Sequence, residues 1–409
     1  MKKMKRAITL LILSIVLIHM TTVFFYLYDR NKNQPNNHFS FSDILLIFDL
    51  DFNTKMYNWI RGASTSKELV DVEIDPETIY LSDLHESSTV IAPVLDTNIN
   101  KDNNLIYCNT LQMAWNELCR IMPDTIEITD SPDYIPKLNA NINQPPMVSD
   151  DSYIVMAGIS DEKTAGMIKK NIRQKFNNLL SENELALDFD LRPPGLFIFS
   201  FLFKQLMFQK EFNEKDNHEF NFNNKKVLVK AFGIEKVKGT CEEEMLGRIE
   251  LFFEPKPNSL FVVKLKTKSE SDEIVISNFT PEKTLKMTFD KINEYITVPR
   301  KRPLPEPIPY LIIPKIDFDI INSFDKLSNK KIIGEKLKGY FFDKVIQKVR
   351  FKLNEKGARL VSSTNVSVLR GLPRLYNING PFFIYLKNKN SALPYFMAYI
   401  ANDELLVKN

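Results

Sequence analysis

The chain has 409 residues, 44% of them hydrophobic and 26% charged, which is enough apolar material for a large packed core. Its formal charge is only +3, with acids and bases interleaved along the chain. That excludes the clustered basic face of a nucleic-acid binder, and no nucleic acid is expected as partner. Only 12 glycines occur, with no GxGxxG or GxxxxGK[ST], so phosphate-cradling loops and the cofactors they hold are not expected.

At the N-terminus, Lys2, Lys3, Lys5 and Arg6 precede the uncharged run Ala7–Tyr28. A helix of that length spans about 30 Å of hydrocarbon. The run ends in Phe24-Phe25-Tyr26-Leu27-Tyr28, without a small-residue cleavage site. Residues 1–30 are therefore read as a signal anchor that places residues 7–28 in the membrane with the body outside the cytoplasm. The alternative is a cleaved signal and a secreted body; both make the protein exported.

Residues 31–102, rich in Asn, Asp, Ser and Thr, read as a stalk with early strands or a helix. From Leu105 to Met122 an extended Leu105-Ile106-Tyr107 leads to Leu111, Ala114, Trp115, Leu118 and Met122 at helical spacing. Cys108 and Cys119, set in this apparent helix about 16 Å apart along its axis, cannot bridge. With Cys241 they make an odd count of buried structural thiols. Four histidines in the whole chain, at His19, His38, His85 and His218, leave no zinc spacing.

Ser131–Ser152 reads as a loop, and Ile159–Leu180 carries the word Thr164-Ala165-Gly166-Met167-Ile168. The aromatic run Phe197–Phe212 reads as a strand buried on both faces. Strands follow at Val227–Phe232, Arg248–Phe253, Ser259–Leu265 and Glu273–Ser277. A helix then opens at Thr280-Pro281-Glu282 with Thr280 as cap, and its apolar face is Leu285, Phe289, Ile292 and Ile296. Pro299–Pro314 holds six prolines and is a stiff connector. Leu311–Phe318 is a further strand.

The C-terminal end carries the most information. Val345–Leu353 alternates apolar and charged residues as a strand, and Asn354-Glu355-Lys356-Gly357 leads from it into a long exposed segment. Two short aromatic strands, Phe382–Leu386 and Leu393–Ile400, close the chain as a hairpin.

This order resembles the serpin family. The resemblance rests on Val345-Ile346-Gln347-Lys348, Glu355-Lys356-Gly357, Asn379-Gly380-Pro381-Phe382-Phe383 and Phe396-Met397-Ala398-Tyr399-Ile400. Thr164-Ala165-Gly166-Met167-Ile168, Asp216–Phe222 and Thr280-Pro281-Glu282 fall in matching order, so it covers roughly residues 103 to 407, with 103–409 as the serpin-like domain.

The resemblance implies an α+β fold of large mixed β-sheets packed with roughly eight or nine helices and carrying an exposed C-terminal reactive loop at about 357–378. It also implies a monomer that is not an enzyme but a suicide substrate for a serine protease, its loop inserting into a sheet once cut. No nucleophile elbow, HExxH or Ser/His/Asp order speaks for an enzyme instead.

An inserted strand needs alternate side chains that tolerate burial and no proline. Ala358, Leu360, Ser362, Thr364, Val366 and Val368 meet that requirement, and the other set, Arg359, Val361, Ser363, Asn365 and Ser367, carries the only charge. The hinge is read as Glu355, Gly357, Ala358, Leu360, Ser362 and Thr364. Any half-buried edge strand would show the same alternation. By loop length the scissile bond falls at or next to Arg370-Gly371, where Arg370 suits a trypsin-like pocket.

Other features favour a non-inhibitory surface binding or structural protein. Arg359-Leu360-Val361-Ser362-Ser363 replaces the alanine run of an inhibitory hinge. The polar residues that govern sheet opening in the family are expected here as Cys108, Asn109 and Leu111, then Phe199, then Gln347, a network that reads as dismantled. Gly380, Ala398 and Tyr399 replace further family residues. In a eukaryotic host Asn365-Val366-Ser367 and Asn278-Phe279-Thr280 are glycosylation sequons, and a glycan on Asn365 would obstruct insertion.

Overall fold

The computed structural model describes residues 79–81, 86–121, 126–142, 147–148, 152–176, 192, 195–204, 206–234, 247–253, 260–297, 310–333, 339–358 and 375–409. All of them belong to one compact unit, Asp71–Asn409. The expected membrane segment 7–28, Cys241, and the loop residues Leu360, Ser362, Thr364, Arg370 and Gly371 lie outside the described residues. Among the described residues no helix is long and apolar enough to cross a membrane.

The chain begins with β1 (Ile79–Leu81), β2 (Thr89–Ala92) and β3 (Asn104–Cys108) and enters α1 (Thr110–Ile121). Cys108 thus ends a strand instead of lying in the helix with Cys119, and both cysteines are free and buried. Next come β4 (Glu127–Ile128), α2 (Ile135–Ala140), β5 (Tyr153–Ile159), α3 (Glu162–Phe176) and β6 (Leu196–Phe203). Helix α2 corrects the expectation of a loop over 131–152: Pro136 sits in its first turn, and burial of Ile135 and Leu138 fixes it.

The long strand expected over 197–212 divides. After β6 come β7 (Leu206–Met207), β8 (Asn213–Phe222), β9 (Lys225–Ile234), β10 (Ile249–Phe253), β11 (Phe261–Leu265) and β12 (Asp272–Ser277). Helix α4 (Leu285–Thr297) starts later than expected. Thr284, not Thr280, caps it by accepting from the Met287 amide at 3.2 Å, because Asn98 and Thr284 form a β-bridge that keeps the preceding residues extended.

The strand expected over 311–318 is two, β13 (Tyr310–Pro314) and β14 (Ile316–Ser323), which serve different sheets, with Lys315 at the hand-over. The chain finishes with β15 (Ile332–Ile333), β16 (Phe342–Leu353), β17 (Gly357–Ala358), β18 (Leu375–Asn377), β19 (Phe382–Asn388) and β20 (Phe396–Ile400). Four α-helices are present among the described residues, fewer than the eight or nine expected, while the α+β class stands.

A seven-stranded sheet runs β10-β11-β12-β19-β20-β3-β2, a four-stranded one β18-β13-β9-β8, and a five-stranded one β1-β14-β16-β6-β5. The principal core lies between the two larger sheets and encloses α1, whose Trp115 is fully buried and stacks on Phe342. Helix α4 covers the outer face of the seven-stranded sheet, with Leu285, Phe289 and Ile292 buried as their spacing predicts. Helix α3 covers the outer face of the five-stranded sheet through Ile168, Ile172 and Phe176 on Phe197, Phe199 and Phe201. Strand β6 therefore sends its even residues to the principal core and its odd ones to α3, which is why it reads as an unbroken apolar run.

Candidate functional site

The site is the seam between β6 and β16, which pair in parallel at the centre of the five-stranded sheet, while each pairs antiparallel with its other neighbour. Parallel ladders are slightly weaker per residue than antiparallel ones. The joint at the centre of this sheet is thus of the weaker kind. A strand running back after β16 would turn it into two antiparallel ladders.

The chain does turn back there. Asn354 and Gly357 exchange backbone hydrogen bonds of 2.9 and 3.2 Å, and the Asn354 side chain accepts from the Lys356 amide. Strand β17 then pairs antiparallel with β7, Gly357 opposite Met207 and Ala358 opposite Leu206. Gly357 has φ +145, and a Cβ on it would lie 2.2 Å from the Leu206 carbonyl oxygen, so only glycine fits.

Glu355 is buried, and its carboxylate meets Lys315 at 2.9 Å; the same ammonium is 2.6 Å from Glu214. Burial works against charge on Lys315, but the hydrogen bonds to Glu214 and Glu355 outweigh it and hold its pKa above the usual lysine range. Phe208, Phe212 and Phe232 form an aromatic cluster beside this turn, and the Phe208 and Phe212 amides donate to the carbonyls of Lys356 and Glu355. Of the expected hinge, Glu355, Gly357 and Ala358 are thus gathered at the upper end of the seam.

Lower down, Gln347 of β16 lies opposite Ser200 of β6. Its Nε2 donates to the Cys108 carbonyl at 3.1 Å and to Thr110 Oγ1 at 2.9 Å, tying β16 to the start of α1. The Cys108 thiol contacts Thr110 Oγ1 at 3.2 Å, and burial pushes its pKa up to about 11, so it is an inert thiol. Two buried atoms at this level, Ser200 Oγ and Gln347 Oε1, have no hydrogen-bond partner among the described residues.

The residue of β6 that faces Gln347 is Ser200, not Phe199, whose ring points to α3. Gln347 and Thr110 link the sheet to the helix beneath it. Ser200 could have been picked out as the one polar residue within Leu196–Phe203. Lys315 and β7 gave no such signal, because each acts through a segment distant in sequence.

On the outer face, Lys348, Arg350 and Lys352 of β16 are buried. Asp317 pairs with Arg350 and with Lys352 (2.9 Å), and Asp319 with Lys348 (2.9 Å). The Lys348 ammonium also lies 5.8 Å from the centre of the Phe201 ring, bridging the seam.

No family model matches the chain. A serine protease inhibitor of Rattus norvegicus is 25% identical over 273 residues, and the match spans 62% of this chain and 62% of that relative. Among solved structures, a thermophilic serpin, tengpin, in the native state has 11% identity and a TM-score of 0.49, with 83% of this chain and 98% of that chain covered. Thyroxine-binding globulin complexed with thyroxine has 10% identity and a TM-score of 0.46, covering 75% and 94%. In the order of its C-terminal motifs and in its match to the rat relative, the chain is similar to the serpins, as a divergent serpin-like protein would be.

Proposed function

We propose that the protein is a peptidase inhibitor that acts as a suicide substrate, presenting residues 357–378 to a trypsin-like serine protease and inserting the cut loop into the seam. The supporting observation is a register. Continuing the Asn354–Gly357 turn along β16 brings Thr364 opposite Gln347, and continuing the β17–β7 pairing along β6 brings Thr364 opposite Ser200. Gln347 and Ser200 are already partners across the seam, so one inserted strand satisfies both ladders without a shift.

The threonine hydroxyl, which can donate and accept, would arrive between two buried polar atoms that lack partners among the described residues. Each such atom costs about 1–3 kcal/mol while unpaired. In the same register Ala358, Leu360, Ser362 and Val366 would turn to the principal core with Ile198 and Leu202, and Arg359 would turn outward.

Arg370, at or next to the cleaved bond, is the bait in this reading. The protease supplies the nucleophile and the chain supplies the substrate. Residues 7–28 would hold the body at the outer surface of a membrane. Incubation with trypsin tests the proposal: it predicts a covalent complex stable to SDS that is lost in Arg370→Ala. Turnover of the loop without a trapped complex would favour a binding role for the same fold. One observation leans that way, since insertion sets Arg359 opposite the buried cation Lys352.

A further inference from the structure

The lower end of the seam is closed by a cluster that loop pairing alone does not need. Leu196 pairs with Phe342 and Phe197 with Lys344, so Asp343 is an extra residue, a bulge in a parallel pair. Bulges are uncommon in parallel pairs and serve to re-aim a side chain.

The Asp343 carboxylate is fully buried and reaches across the foot of the seam. One oxygen accepts from Ser160 Oγ and from the Arg192 amide at 2.9 Å; the other faces Arg192 Nε at 2.9 Å and Nη2 at 2.8 Å. Ser160 stands at the entry to α3 and Arg192 on the approach to β6, so one carboxylate holds three segments.

The backbone is stitched at the same level, Leu196 N to Phe341 O and Ser160 N to Gly195 O, both 2.7 Å. A side chain at Gly195 would lie 2.5 Å from Asp343 Cβ, so the approach is close-fitting. The Arg192 side chain is 49% exposed while Asp343 is 0% exposed, so the cation is a lid that can leave and the anion is not.

We propose that the Asp343–Arg192–Ser160 cluster is a depth stop: a strand entering the seam pairs down to the level of Phe197 and Lys344 and halts there until Arg192 and Ser160 release Asp343. This rests on the insertion reading above and adds its regulation. In the common register the last residue accommodated is Ser367, and Val368 meets the bulge.

The test adds two synthetic peptides to the intact full chain, ARLVSSTNVS (residues 358–367) and ARLVSSTNVSVLR (residues 358–370). Melting temperature and hydrogen exchange at the Leu196 and Ser160 amides are read. The stop predicts that both peptides stabilise the wild type equally and leave those two amides protected. In Arg192→Gln the longer peptide should raise the melting temperature a further ~2–4 °C over the shorter one, with both amides exposed. Ser160→Ala should shift the same way and serves as the second variant should the first fold poorly. A longer peptide already superior in the wild type, or no difference in either variant, overturns the stop and leaves insertion standing. Failure of either peptide to bind the wild type overturns insertion, and the stop with it.

Discussion

Ser200 and Gln347 face each other across the parallel pair at the centre of the five-stranded sheet, each with a buried oxygen that no described residue satisfies. A structure that leaves such atoms at its central joint is stable there only for want of a better partner. If the loop supplies that partner, Ser200→Ala should leave the intact protein unchanged or raise its stability by about 1 kcal/mol, while reducing the gain on loop cleavage. Thermal melts of intact and nicked protein check both signs.

Gln347→Leu should act oppositely on the intact form. It removes the bonds to the Cys108 carbonyl and Thr110 Oγ1, leaving buried acceptors behind at a cost of about 1–3 kcal/mol. Urea unfolding of the uncleaved protein measures this loss.

Lys315 balances two carboxylates at the turn, and Glu355 is buried against it. Lys315→Met strands that charge, with an expected cost of about 3–5 kcal/mol. The turn at Asn354–Gly357 should then loosen, seen as faster proteolysis after Lys356. Gly357→Ala should cost more than about 1 kcal/mol, from its positive φ and the 2.2 Å approach to the Leu206 carbonyl oxygen.

His218 gives a pH dependence. It is buried in β8, with Nε2 2.9 Å from the Ile378 carbonyl just beyond β18, and Lys215 and Glu219 are the charged groups that act on it. Burial pushes its pKa below the usual 6.5, outweighing the bond to Ile378. A histidine depressed in the fold contributes stability that is full above its unfolded pKa, about 6.5, and is lost as pH falls through that value toward the folded one. Stability should therefore fall below about pH 6.5, and His218→Gln should flatten the slope measured by urea titration between about pH 7 and 5.

In the inserted register Arg359 faces Lys352, a like-charge contact at the first outward position. Arg359→Ser should speed insertion after cleavage by several-fold, followed as the rate of rise in heat stability.

The strands were legible where periodicity and burial agree. Phe382–Asn388, Phe396–Ile400 and the apolar face of α4 follow from their own residues. Boundaries set from a distance were not. Lys315 separates two strands because they join different sheets, and Thr284 caps α4 because Asn98 holds it. The alternation over Val345–Leu353 marked a strand, but not that Asp317 and Asp319 on the neighbouring strand pair with the buried Lys348, Arg350 and Lys352. The turn Glu355-Lys356-Gly357 was readable from motif, whereas the pairing of Ser200 with Gln347 needed a register that no single segment contains.

Loop insertion is tested most directly by limited trypsin digestion of the residue 31–409 body, followed by melting of nicked and intact forms. Insertion predicts one cut near Arg370 and a rise of tens of degrees, as one parallel seam becomes two antiparallel ladders. A clean cut there with no rise would mean that the loop does not enter the sheet.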